Sequence, residues 1–118
     1  MITRLIEGVP DKTIRVAVGN AAGALTDSIL YKDGVSTNTD VKNIAQEVLI
    51  TVEDNILRWA MGVDPENTAG NSDDLGHELG VGKSIMLRGW GQILNFKHIN
   101  AVSGVVSVIQ VTPFFSGK

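Results

Sequence analysis

The chain has 118 residues, 43% of them apolar and 19% charged, with 13 glycines and three prolines, which suits one domain with one core and many turns. Ten Lys and Arg stand against thirteen Asp and Glu, and no two basic residues are adjacent. Phosphate binding needs a basic patch, so nucleic acid is not the expected ligand, and the lack of cysteine excludes disulfides, zinc–thiolate centres and thiol nucleophiles.

Residues 1–12, MITRLIEGVPDK, carry no long apolar run of a secretory leader, so synthesis in the cytoplasm without export is expected. No stretch reaches the ~20 apolar residues of a membrane helix. Ile2, Leu5, Ile6 and Val9 are apolar, but the segment is too short for an independent helix in water. It is expected to be an N-terminal arm that lies against a neighbouring subunit or a surface, with residues 13–118 forming a single β domain.

Thr13 to Val18 alternates, with Ile14, Val16 and Val18 on one face and Arg15 and Ala17 on the other, the period of a half-buried strand. Gly19-Asn20 reads as a turn. Ala24 to Tyr31 is a less regular strand, ended by the turn dipeptide Asp33-Gly34. Val35 to Asn43 is polar, either an exposed strand or a loop. Glu47 to Val52 and Ile56 to Met61 flank the turn Glu53-Asp54-Asn55, so Val48 to Met61 is predicted as a β-hairpin. In its second arm Leu57, Trp59 and Met61 share the inner face and Arg58 the outer.

Gly62 to Gly82 is a long connection with five acids and no Lys or Arg. Loops of this length are functional or mobile. Lys83 to Arg88 is a short strand, Gly89-Trp90-Gly91 punctuates it, and Gln92 to Phe96 is a strand or one helical turn. Val105 to Val111 is β-branched throughout most of its length and is predicted as a central strand ended by Pro113. The sum is an all-β chain, an antiparallel β-sandwich or jelly-roll-like barrel with a long polar loop. Val48, Ile50, Trp59, Leu87, Val106 and Val108 are the expected core, and Trp59→Ala is expected to cost about 3–5 kcal/mol.

Catalytic patterns are missing. There are two histidines, His77 and His98, but no G-x-S-x-G elbow, and Ser72 sits in the long loop without a supporting pattern. Asp64, Glu66, Asp73 and Asp74 do not match the spacing of an EF-hand calcium loop, so they read as a solvated loop. Gly76 to Gly82 precedes Lys83-Ser84, yet a phosphate loop needs glycine where His77 stands and a following helix. No enzyme activity, cofactor or metal is expected. Trp90, between two glycines, is an expected interface anchor, because Trp concentrates binding energy. Phe114 and Phe115 serve similarly or cap the core, and Ile2, Leu5 and Ile6 are the contact residues of the arm. Two tryptophans and a long loop also fit a carbohydrate- or ligand-binding module.

Several runs resemble a pattern of small virion proteins of tailed bacteriophages. They are Thr51-Val52-Glu53, Ile56-Leu57-Arg58-Trp59, Gly62-Val63-Asp64-Pro65, Gly76-His77-Glu78-Leu79 and Gly82. Leu87-Arg88-Gly89, Ile93 to Ile99 and the closing run Val105 to Val111 continue it. The likeness spans residues 48–111 and departs from the pattern in its longer acidic insertion, Glu66 to Asp74. It implies a β-sandwich that assembles on a phage particle as a head decoration (cement) protein, or as a related capsid or tail component. The implied partners are the major capsid protein and two further copies in a homotrimer, and the implied location is the virion.

Overall fold

The computed structural model describes residues 9–68 and 74–116. Eleven elements follow in chain order: β1 (Val9–Pro10), β2 (Ile14–Val18), β3 (Gly23–Ala24), α1 (Asp27–Leu30), β4 (Glu47–Asp54), β5 (Leu57–Met61), β6 (His77–Leu79), β7 (Ser84–Arg88), α2 (Trp90–Asn95), β8 (Phe96–Asn100) and β9 (Ser107–Phe115). They build the expected all-β sandwich, two antiparallel sheets packed together. The first sheet runs β1-β9-β4-β7, with β2 sharing the β1 flank of β9; the second runs β3-β8-β5-β6. Among the described residues no helix is long and apolar enough to cross a membrane.

The core lies between the sheets and follows strand alternation. Val48, Ile50 and Val52 of β4 face Ile109 and Val111 of β9 along the register, and all five are buried. Leu57 and Phe96 come from the second sheet, Leu87 from β7, and Ile29 and Ile93 from the two helices.

Several expectations change. The run expected as a strand from Ala24 to Tyr31 holds only the end of β3 (Gly23–Ala24) and then the helical turn α1. The N–H groups of Ile29 and Leu30 both donate to the Thr26 carbonyl, and Leu25, Ile29 and Leu30 are buried at helical spacing. The polar run from Val35 to Asn43 is a loop of turns. β4 and β5 do not pair with each other: β4 pairs with β7 and β9, and β5 with β6 and β8. The register of β4 shifts between Val52 and Asp54, and Asn55 takes a left-handed φ of 59°. The bulge twists the strand end and the left-handed residue turns the chain across to the other sheet.

β9 is central, as expected, but it begins at Ser107 and runs through Pro113 to Phe115. Its other flank is paired to β2 over 107–111 and to β1 over 114–115. Pro113 therefore stands at the gap between these partners, where a strand tolerates a missing N–H. The inner face of β9 is Ser107, Ile109 and Val111, so Val106 is 48% exposed and Val108 is only partly buried. Both faces of this run are apolar, and a shift of one residue exchanges them. Trp59 is half-buried and Met61 exposed, although Leu57 beside them is in the core. The expected strand or turn at 92–96 is α2, and β8 follows it.

Candidate functional site

Pro10, Phe114, Glu47 and Arg88 form one row across the first sheet, each the register partner of the next. A cleft of about 420 Å³ opens at this end, on the β7 side. Gly89, with φ 85°, reverses the chain after β7, and its N–H donates to the Gln46 carbonyl at 3.0 Å. That turn sets Trp90 on one wall. The Trp90 ring meets Tyr31 edge-on, with centroids 5.6 Å apart, and Tyr31 is bridged to Ile44. Val41, Ile44 and Ala45 make the opposite wall, and Val41 is 63% exposed. At the rim, Arg88 Nε lies 3.5 Å from the buried Glu47 carboxylate.

The loop that carries Val41 is held from within. The Asp33 carboxylate accepts from Asn38 Nδ2, the Val35 N–H and Asn43 Nδ2, each at 2.9 Å. These bonds, Asn38 first, hold its pKa below the usual carboxylate range. Asn43, 7% exposed, also accepts from the Asp33 N–H at 2.9 Å. Val41 and Ile44 thus stand on an ordered loop, which the polar composition of residues 35–43 did not disclose. Their spacing of three, as the apolar residues flanking a polar pair, was the available signal.

A second cleft, of about 430 Å³, is lined by Trp59, Met61, Val63, Leu75 and His77. Trp59 pairs with His77 across β5 and β6, their rings tilted with centroids 4.7 Å apart, and stacks on Phe96 at 5.9 Å. His77 is thus a strand residue on an aromatic platform. Arg58 lies on the outer face of β5, as expected, but is only 9% exposed. Gly76 crosses it closely, and Arg58 NH2 bonds Glu78 Oε2 at 3.0 Å. Burial lowers the pKa of His98, which packs under Gly23.

Of the expected interface residues, Trp90 is partly buried and packs on the core from its cleft. Phe114 and Phe115 are 7% and 2% exposed in the single chain, and Phe115 packs within the core cluster. Ile2, Leu5 and Ile6 lie outside the described residues, as do Ser72 and Asp73. In the acidic connection Glu66 and Leu75 are tied by two bonds: the Glu66 N–H donates to the Leu75 carbonyl and the Leu75 N–H to Glu66 Oε1. Among the described residues no three His, Asp or Glu side chains gather as a metal site.

The chain matches no family model, no curated protein and no solved structure. The likeness to small phage virion proteins therefore rests on its motifs alone. Arg58-Trp59, His77 and Phe96 to His98 fall on three adjoining strands, β5, β6 and β8, where Trp59, His77, Phe96 and His98 form one aromatic group.

Proposed function

We propose that the chain is a structural subunit of a tailed-phage virion, a head decoration protein that binds the major capsid protein as a homotrimer. The Trp90 cleft carries the reading. It is an open groove with apolar walls, an aromatic anchor and an Arg–Glu pair at its rim, the composition that concentrates energy in protein interfaces. The grouping of the motif residues around Trp59 supports it further, because they pack as one unit. Weak contacts suffice on a repeated shell, since linked copies raise the effective concentration of one another. Gold-labelled antibodies against the purified protein test the location. Label over the heads of purified particles is expected. Label on tails would move the subunit there, and unlabelled particles would overturn the reading.

A second reading, a carbohydrate- or ligand-binding module, has the Trp59–His77 cleft in its favour, because aromatic faces stack on sugar rings. Titration with oligosaccharides separates the two. Quenching of Trp59 fluorescence at millimolar sugar or below, with no label on particles, would favour the module.

A further inference from the structure

We propose that the Trp59 cleft docks a segment of a partner protein, one that carries a bulky apolar side chain flanked by Lys or Arg. The proposal goes beyond the capsid reading and does not depend on it. The cleft stands at the C-terminal end of β5, where Trp59 pairs with His98 and Met61 with Phe96. Leu57, at the other end of the strand, is in the core, whereas Met61, Val63 and Leu75 are 38%, 51% and 47% exposed. Exposed apolar side chains are ordinary when scattered. Here three of them line one cleft of about 430 Å³ beside the half-buried Trp59, the pattern of an interaction site.

The walls are fixed before anything binds. Trp59 is held by Phe96 and His77. Leu75 is tied to Glu66 by two bonds, and Gly76 packs against the Arg58 side chain and the Trp59 carbonyl. A surface that needs no ordering keeps more of its binding energy. Of the lining side chains, only His77 and the Trp59 indole carry nitrogen or oxygen. A sugar would give up water from several hydroxyls there with few bonds in return, so an apolar side chain fits better than a sugar ring. The rim decides what flanks it. Residues 62–82 hold five acids and no Lys or Arg. Asp64 and Glu66 are exposed, and the Glu66 carboxylate is bonded at Leu75. Of the neighbouring cations, Arg58 is paired with Glu78 at 3.0 Å, and Lys97 lies beside Ala60 in the register. Asp64 and Glu66 thus leave the rim negative, and basic flanks on the occupant complement it.

The probe is a dye-labelled heptapeptide with Phe at its centre and two Lys at each end, its binding to the full chain read by fluorescence anisotropy. Saturable binding is expected, at least about tenfold tighter than that of a peptide with Ser for Phe or with Glu for each Lys. High salt should weaken it. Val63→Asp separates the apolar contact from charge alone. The added negative charge would strengthen a purely electrostatic contact, whereas loss of the apolar wall should weaken binding about tenfold. Val63 is half-exposed, so the variant should keep the wild-type melting curve. Val102→Asp is the control and should bind as the wild type does, because Val102 is 53% exposed and follows the far end of β8. No saturable binding, equal affinity for the three peptides, or tighter binding by Val63→Asp would overturn the proposal. Displacement of the peptide by millimolar oligosaccharide would also overturn it and give the cleft to a sugar. Labelling of particles reads the capsid role separately, so either can fail without the other.

Discussion

The side-chain amide of Asn55 donates to the Val106 carbonyl at 2.8 Å, tying the corner where the chain changes sheets to the residue just before β9. Next to it the Ser107 hydroxyl donates to the Ile56 carbonyl at 2.6 Å. The crossing from β4 to β5 is thus fastened to the central strand of the first sheet.

Asn55→Ala should destabilise the fold by about 2 kcal/mol, one part from the lost bond and one from a left-handed φ on a Cβ-bearing residue. Asn55→Gly keeps the conformation and should lose about 1 kcal/mol. Urea unfolding of both variants checks the order.

Gly76 has φ +124°, and a Cβ there would stand 2.7 Å from Arg58 Cγ and 3.0 Å from the Trp59 carbonyl. Gly76→Ala should therefore cost about 1–3 kcal/mol of strain. Gly91 has no neighbour within 4 Å and lies in α2, so Gly91→Ala should be neutral or stabilise by up to about 1 kcal/mol. Equal melting temperatures for the two variants would contradict this.

Phe96 is fully buried, and Phe96→Ala should cost about 3–5 kcal/mol. Trp59 packs on it from the cleft side and is half-buried, so Trp59→Ala should cost less than Phe96→Ala. The sequence-based expectation for Trp59 assumed complete burial. Paired denaturation curves decide the ranking.

Much of the sandwich was legible where one strand face is apolar and the other polar. Ile14, Val16 and Val18 alternate with Arg15 and Ala17, and Val48, Ile50 and Val52 all point inward. Legibility failed where that contrast is missing. The run from Val105 to Val111 is apolar on both faces, so pairing with β4, not composition, decides that Ile109 is buried and Val106 is not. β8 was missed because Phe96, His98, Ile99 and Asn100 are all buried without alternation. The sheet crossing at Asn55 looked like a hairpin because turn residues show that a chain turns, not which sheet it joins next. Of the site, Trp90 was legible from its glycines. Its cleft was not, because Val41 and Ile44 come from a loop defined by Asp33 bonds across ten residues.

His98 supplies a pH dependence. Burial holds its pKa below the ordinary value of 6.5, so the unfolded chain takes up the proton first as pH falls. Its contribution to stability is complete above pH 6.5 and is lost as pH drops through the depressed folded value. Melting temperature should fall as pH drops below 6.5, and His98→Gln should flatten that slope. The lowered Asp33 carboxylate acts in the same direction but at lower pH, below the ordinary carboxylate value of 3.8. An unchanged slope in the His98 variant would assign the dependence elsewhere.

Rebinding to shells tests the proposed function most directly. Purified protein is mixed with phage heads that lack it, the heads are pelleted, and bound copies are counted against added protein at low and high salt. Saturable binding is expected, in multiples of three copies per site, and weakening as salt screens the charged rim of an acidic protein. Trp90→Ala should reduce it at least tenfold, about 1.4 kcal/mol, the loss typical of an interface anchor. Failure to pellet with any head, together with a monomeric mass in solution, would contradict the structural role.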